Sequence, residues 1–240
     1  MCAIFKEPFR FNGESLKQID LPIEPNDCFE AVMRRMGYVG EIPVAEIIDR
    51  VVDRIATGLS VVRIDAACRT TSLTAIDSHK IMAEGIIIDS ARWAAITGYM
   101  KPPVVLAVFA ATLGEAIDLL KKDLGLFDAF VLDCLGSEVI ERLGNRLETI
   151  LGDYFLSKGL ICSRRFSPGY CDWPLISGQK AVSSFLEPAA ADIRLMSSGA
   201  MVPEKSITAV MIAARSLYYK TPCPICGQKD CPYRRENAAG

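Results

Sequence analysis

The longest helical pattern of the sequence runs from residue 127 to residue 158 and limits the folds open to this chain. Apolar residues recur along it at the intervals of a single helix face. They predict a buried stripe made of Phe130, Val131, Leu135, Leu143, Leu147, Ile150, Leu151 and Tyr154. A helix with such a stripe packs against a hydrophobic core.

Three glycines lie eight residues apart in this helix, at Gly136, Gly144 and Gly152. Eight residues are close to two helical turns, and glycine has no Cβ, so one flank of the helix is thin. The spacing predicts the close approach of another backbone there. Glu138 and Glu141 lie three apart and share one face.

Apolar runs elsewhere predict strands. VVLAVFAATLG, which follows Pro103, predicts a buried central strand that ends at Ala110. Further strands are predicted in VVRID, IMAEGIIID and GLICSRR, and residues 193–196 and 206–213 are predicted to pair as an antiparallel hairpin. Residues 1–25 predict an extended lead-in, which can include an edge strand, before two helices.

Composition bounds the class of protein. At 240 residues and 50% hydrophobic, the chain can bury the core of one domain. This domain is predicted over residues 1–220, with an N-terminal helical portion, and residues 221–240 are predicted to form a separate tail. A net charge of -2 provides no basic surface for nucleic acid. The sequence contains neither a membrane-spanning run nor the apolar region of a signal peptide, which indicates a cytoplasmic protein.

The tail carries a cysteine cluster typical of metal binding. Cys223, Cys226 and Cys231 fall within nine residues, and a C-x-x-C pair suits zinc or an iron–sulfur cluster. Three thiolates leave one coordination position open. Its candidate ligands are a partner's side chain, an exogenous molecule, and Cys134, Cys162 or Cys171. The alternative is a flexible tail with exposed thiols. Because the chain has only one histidine, a site built from several histidines is excluded.

A stiff turn is predicted in RRFSPGYCDWP, residues 164–174. Pro168 fixes φ, and Gly169 tolerates the positive φ that follows. Arg164 and Arg165 precede the turn with planar guanidinium groups, and Tyr170 follows it with an aromatic ring and a polar tip. Such a turn can hold a ligand that has a carboxylate and a flat ring; a surface turn with solvated arginines is the alternative.

Two segments resemble a known family. RFSPGY, from Arg165 to Tyr170, resembles the R-P-A-P-G-Y signature of the activation domain of cobalamin-dependent methionine synthases. The segment from Ile193 to Val210 is similar to the family's L-T-E-S-x-A-M-x-P-x-x-S-V-S-G segment. The positions in register are Leu195, Ser198, Ala200, Met201, Pro203 and Ser206. The resemblance covers about residues 127–213.

The resemblance implies an α+β fold with a twisted, mostly antiparallel sheet and flanking helices. It also implies binding of S-adenosylmethionine, with Arg165 on the methionine carboxylate, Ser167 contacting the ligand through its backbone and Tyr170 packing on it. Either Glu138 or Glu141 would supply the glutamate that the family's helix contributes. The chain resembles this one domain alone. The resemblance therefore implies a stand-alone reactivation factor for methionine synthase or a related corrinoid methyltransferase. Such a factor would act in methionine biosynthesis, on cobalamin bound to a partner protein.

The sequence departs from the family where Leu175 and Ile176 replace an Asp-His pair after Pro174. The alternative function is therefore a non-catalytic module that binds a corrinoid protein and has a vestigial ligand pocket. An unrelated S-adenosylmethionine methyltransferase is disfavoured. Such enzymes generally have a glycine-rich loop after the first strand and an acidic residue at the end of the second strand, and this sequence lacks that arrangement. In the activation role no side chain needs to act as acid, base or nucleophile, since a sulfonium methyl is already activated.

Overall fold

The computed structural model describes residues 3–12, 14–40, 44–187, 191–231 and 234. Its strands are β1 (Ala3–Phe11), β2 (Glu14–Ile23), β3 (Asp65–Ile76), β4 (Lys80–Ala83), β5 (Ile86–Asp89), β6 (Val104–Thr112), β7 (Ile161–Cys162), β8 (Arg194–Leu195), β9 (Met201–Val202) and β10 (Ser206–Ala214). Its α-helices are α1 (Pro25–Arg35), α2 (Ala45–Val61), α3 (Ala91–Thr97), α4 (Ala116–Lys122), α5 (Leu126–Leu156) and α6 (Leu175–Leu186).

The main sheet has the strand order β2-β1-β3-β6-β10-β7, with β4 and β5 extending from β3. The pair β1–β3 is parallel, and the other pairs are antiparallel. The predicted α+β class with a mostly antiparallel sheet is confirmed.

Strand β6 lies at the centre of the sheet and is buried on both faces. Ala107, Phe109 and Ala111 face one hydrophobic cluster, which also contains buried residues of α1, α2 and α5. Leu106 and Val108 face a second cluster, which contains residues of α3 and α6. Alternate residues of a strand point to opposite faces, so the continuous apolar run that predicted this strand reflects two buried faces. The strand extends to Thr112, two residues beyond the predicted end.

Helix α5 confirms the long helical prediction and packs against α1, α2, α4 and the sheet. Most of its predicted stripe is buried or partly buried, but Phe130 is 48% exposed. The prediction for Phe130 was wrong because Val131, its neighbour, takes the core position and the helix turns Phe130 away from it. Among the described residues, no helix combines the length and the apolar character that crossing a membrane requires.

Three strand predictions were wrong in detail. Val61 ends helix α2, and the strand predicted in VVRID begins only at Asp65. IMAEGIIID is a hairpin of β4 and β5, because Gly85 adopts a φ of +85°. Residues 194–195 pair with β9, whereas β10 pairs with β6 and β7. The predicted hairpin therefore does not form, since the apolar β10 is buried in the main sheet instead.

The extended N-terminal segment predicted from the sequence forms two strands, and β2 is an edge strand of the kind that the prediction allowed for. Strands β1 and β2 form an antiparallel hairpin, and β1 joins the sheet beside β3. Helix α1 begins at Pro25, where proline at the first helical position lacks only an amide that would have no intrahelical partner.

Candidate functional site

The turn after Arg165 is attached firmly to the central sheet. Phe166 and Val210 exchange backbone hydrogen bonds of 2.9 and 2.8 Å, so the turn begins beside β10. The amide of Gly169 donates to the carbonyl of Trp173 at 2.9 Å, and Gly169 has a φ of +90°. The stiff Pro-Gly turn predicted from the sequence is thus present.

An aromatic stack supports the turn from beneath. The Phe166 ring lies between two tryptophans, with its centroid 4.8 Å from that of Trp93 and 5.5 Å from that of Trp173. Both pairs are close to parallel, and all three side chains are buried. Because Phe166 follows Arg165 directly, the stack fixes the backbone from which the arginine projects.

Arg165 is buried and faces acidic residues of α5. Its side chain is 3% exposed, and its Nη2 donates to Glu141 at 2.7 Å and to Asn145 at 3.1 Å. Its Nε lies 3.6 Å from a Glu148 oxygen, too far for a hydrogen bond, and is buried without an acceptor among the described residues. The guanidinium therefore retains donor capacity.

Gly144 makes room for this guanidinium. A Cβ at that position would lie 3.3 Å from Arg165 Cζ and 3.0 Å from Ile207 Cδ1. Eight residues earlier in the helix, a Cβ at Gly136 would lie 2.8 Å from Lys205 Cγ. A Cβ at Gly152 would meet no atom of the described residues within 4 Å. The thin flank of α5 was predicted, but it receives long cationic side chains and not another backbone.

A cavity of about 250 Å³ opens beside Arg165. One part of its lining consists of Glu141, Arg165, Phe166, Tyr170 and Cys171. The rest belongs to the C-terminal tail and includes Cys223, Cys226 and Cys231. The turn and the tail, which are distant in the sequence, thus border one cavity.

The structure brings three of the five predicted ligand-binding residues together. Arg165, Tyr170 and Glu141 line the cavity, and the Tyr170 side chain is partly exposed there. Glu138 is not among the lining residues; it accepts hydrogen bonds from Arg35 at 3.2 Å and Arg142 at 2.9 Å.

Ser167 also lies outside the cavity lining. Its carbonyl accepts a 3.1 Å hydrogen bond from the Tyr170 amide, which closes the turn. Its hydroxyl is buried and has no hydrogen-bond partner among the described residues. The predicted backbone contact from Ser167 to a ligand stays a prediction.

Sequence reasoning did not single out Asn145 and Glu148, which face Arg165. A signal was present, since both lie on the same face of the predicted helix as Glu141, four and seven residues further on. The placement of the tail against the turn had no comparable signal.

The tail cysteines lie near Cys171. Burial of the Cys171 thiol and its interaction with Cys226 raise the pKa of Cys171 to about 12. The Gln228 backbone N–H lowers the pKa of Cys226 by hydrogen bonding to its sulfur. Within the described part of the chain, no three His, Cys, Asp or Glu side chains are grouped closely enough to hold a metal ion as they stand.

Comparisons with known proteins support the fold. No family model matches the chain, and no curated protein does. A solved structure described as the crystal structure of the MetH reactivation domain bound to AdoHcy aligns with a TM-score of 0.56 and 13% sequence identity, over 80% of this chain and 77% of that one. At this identity the likeness shows the fold and nothing more. It is the fold that the Arg165–Tyr170 and Ile193–Val210 motifs predicted. The chain therefore has the architecture of a methionine synthase reactivation domain.

Proposed function

We propose that this chain is a stand-alone reactivation factor that binds S-adenosylmethionine in the cavity beside Arg165. The observation that carries the proposal is the ion pair of Arg165 and Glu141 in the cavity wall. The methionine part of the ligand is a zwitterion, with one carboxylate and one ammonium group. A neighbouring cation and anion in one wall are complementary to such a group.

Arg165 is suited to the carboxylate. Its guanidinium is planar, permanently charged and able to make two parallel hydrogen bonds to a carboxylate. Glu141 is 43% exposed at its side chain, which leaves its carboxylate accessible to an ammonium group. The Tyr170 ring at the same cavity offers an aromatic face for the adenine.

The protein's contribution is placement and charge. The sulfonium methyl is the electrophile, and the reduced cobalt of a corrinoid on a partner protein would accept it. Arg165, Glu141 and Tyr170 would hold the donor in one orientation at the cavity mouth, which favours transfer by removing rotational freedom. The structural neighbour was solved with AdoHcy, the compound that S-adenosylmethionine becomes after losing this methyl, and this supports the choice of ligand.

The proposal has two further parts. The partner is a corrinoid-binding methyltransferase that carries cobalamin, and the tail of this chain holds a zinc or iron–sulfur centre on Cys223, Cys226 and Cys231. The cysteines support the metal part because they line the cavity that the ligand would enter. As thiols they would release protons on binding and act as thiolate ligands.

Calorimetric titration with S-adenosylmethionine tests the ligand proposal. The wild-type protein is expected to bind it, and Arg165→Lys is expected to weaken binding about tenfold or more, because lysine cannot make the bidentate contact. Arg164→Lys is the matched control. Arg164 is the preceding residue, is 47% exposed at its side chain and pairs with Glu148 outside this cavity, so the affinity should stay within about twofold.

Two results would contradict the proposal: no heat at millimolar ligand, or equal affinities for the two variants. If no heat is detected and a corrinoid protein still binds, the result favours the non-catalytic module with a vestigial pocket. Cobalt methylation with a corrinoid partner, a reductant and S-adenosylmethionine then measures the activity itself.

A further inference from the structure

We propose that Cys171 is the fourth ligand of the tail metal centre, so that Cys171, Cys223, Cys226 and Cys231 bind one zinc ion or iron–sulfur cluster in the wall of the ligand cavity. This inference deepens the proposed function and rests on it only for the effect of the metal on ligand affinity. The metal assignment itself rests on the cysteines.

The first observation is that cysteines from two distant segments line a single cavity. Cys171 follows the Pro-Gly turn, whereas the other three lie in the tail, and all four border the same space of about 250 Å³. Of the remaining described cysteines, Cys28, Cys68 and Cys134 are buried in the core and Cys162 lies on β7. The three candidates for the fourth ligand therefore differ, since only Cys171 among them borders this cavity.

The second observation is that both cysteine-bearing segments are anchored at the start of helix α3. The Asp172 carboxylate accepts hydrogen bonds from Ser90 Oγ at 2.6 Å and from the Arg92 amide at 3.0 Å. The Arg92 guanidinium donates to the carbonyl of Ile225, within the C-x-x-C loop. The residue after Cys171 and the residue before Cys226 are thus held by neighbouring groups of one helix end.

The third observation concerns Cys171 itself. Its φ of +56° lies in the left-handed region, which is uncommon for a residue with a side chain of this kind and costs energy. In this conformation Cys171 lines the same cavity as Cys226. A purely structural turn would be better served by glycine or asparagine at this position.

A polar group already contacts one of the tail sulfurs. Thr221 Oγ1 lies 3.2 Å from Cys223 Sγ. Hydrogen bonds to metal-bound sulfurs orient the ligands and stabilise their negative charge. Sulfurs around one zinc ion lie about 3.8 Å apart, since each Zn–S bond is about 2.3 Å. The described thiols are not yet grouped in this way, so metal binding would draw the C-x-x-C loop onto Cys171 as the thiols release their protons.

A consequence for the ligand follows from the shared cavity. The tail supplies part of the wall beside Arg165 and Tyr170. A metal that fixes the tail to Cys171 would fix that wall, so the loaded protein should bind S-adenosylmethionine more tightly than the stripped protein.

The test compares Cys171→Ser with Cys162→Ser, both prepared anaerobically at full chain length. Zinc, iron and acid-labile sulfide are measured as isolated and after incubation with ferrous iron and sulfide or with zinc. Wild type and Cys162→Ser should hold the same metal content. Cys171→Ser should lose metal to a competing chelator at least about tenfold more readily. Iron with sulfide and broad visible absorption identifies a cluster, and colourless protein with stoichiometric zinc identifies the ion.

Cys226→Ser is the second variant and guards against a folding defect in Cys171→Ser. It lies in the tail and should show the same loss of metal with an unchanged far-ultraviolet circular dichroism spectrum. The assignment is overturned if Cys171→Ser and Cys162→Ser retain metal equally, if wild type holds no metal under any of these conditions, or if mass spectrometry of the anaerobic protein finds a Cys171–Cys226 disulfide in place of metal. Metal-loaded protein that binds no S-adenosylmethionine would contradict the ligand proposal and still support the metal centre.

Discussion

Lys205 and Arg165 occupy equivalent notches on helix α5 and differ in what surrounds their charges. Lys205 packs over Gly136 and Arg165 packs over Gly144, and both side chains are more than nine-tenths buried. The two glycines lie eight residues apart on one flank of the helix. In both cases the missing Cβ of a glycine lets a long cationic side chain pack against the same flank of α5.

The ammonium of Lys205 is saturated. Its three N–H donors match three acceptors, at 2.7 Å on Asp133, 3.2 Å on Ser137 and 3.4 Å on Glu204. Arg165 has five donors, yet within the described part of the chain both of its side-chain hydrogen bonds come from Nη2, and its buried Nε has no acceptor there. Arg165 also borders a cavity. The two cations therefore differ in that only Arg165 combines unused donors with a neighbouring cavity, which is the arrangement that the proposed ligand site requires.

The largest expected effect is a loss of stability without a loss of ligand affinity, on substitution of Lys205. Lys205→Met should lower the free energy of unfolding by about 2 kcal/mol, because it removes charged hydrogen bonds to Asp133 and Glu204 from a buried position. Urea denaturation measures the change. Lys122→Met, at an exposed neighbouring site, is the control and should stay within about 0.5 kcal/mol. A loss of S-adenosylmethionine affinity in Lys205→Met with unchanged stability would reverse the roles assigned to the two cations.

The next effect concerns the two candidate glutamates. Glu141→Gln should weaken S-adenosylmethionine binding about tenfold, because it removes the negative charge expected to face the ligand ammonium. Glu138→Gln, three residues away and paired with Arg35 and Arg142, should leave the affinity unchanged. Calorimetric titration of the two variants measures both affinities. Equal losses would show that the charge of the whole helix face matters and that the local ion pair does not.

Substitution of the glycines probes the notches directly. Gly152→Ala should stabilise the protein by up to about 1 kcal/mol through helix propensity, since a Cβ there meets no described atom within 4 Å. Gly136→Ala should be about 1 kcal/mol less stable than Gly152→Ala, because the Lys205 stem must move. Thermal and urea unfolding of both variants provide the values. Equal stabilisation by the two alanines would mean that Lys205 does not need its notch.

The smallest effect is a pH dependence on the Lys205 side. Burial acts to raise the pKa of Asp133, but hydrogen bonds from Lys205 and Lys121 outweigh it, and the net pKa lies below its ordinary 3.8. The pKa of Glu204 is likewise lowered from 4.5, mainly by its hydrogen bond from Lys121. A lowered native pKa contributes stability above the unfolded value and loses it as the pH falls through the native value. Urea midpoints should therefore fall with acidification below about pH 4.5, and less so in Asp133→Asn. Parallel curves for the two proteins would contradict this.

Elements whose burial follows from local pattern were predictable. Strand β6 and helix α5 were found because a two-sided buried strand is continuously apolar and a one-sided helix carries a stripe. The turn from Arg165 to Tyr170 was found because Pro168 and Gly169 restrict the backbone in a known way. Glu141 was named as a candidate, although the sequence did not distinguish it from Glu138.

Other features depend on contacts between distant segments, which local patterns do not contain. The pairing of β10 with β6 rather than with residues 194–195 is set by the core, where both faces of β10 are buried. The N-terminal hairpin of β1 and β2 is completed by β3, which begins more than forty residues later. The position of the tail beside Arg165 depends on Arg92, a side chain of α3 whose contact with the tail no local pattern indicates.

The aromatic stack beneath the turn has a practical consequence. The chain has two tryptophans, and both sandwich the phenylalanine that follows Arg165. All indole fluorescence of the protein therefore originates from rings stacked on the residue next to Arg165. Changes in this emission during a titration report events at the proposed site without an added label.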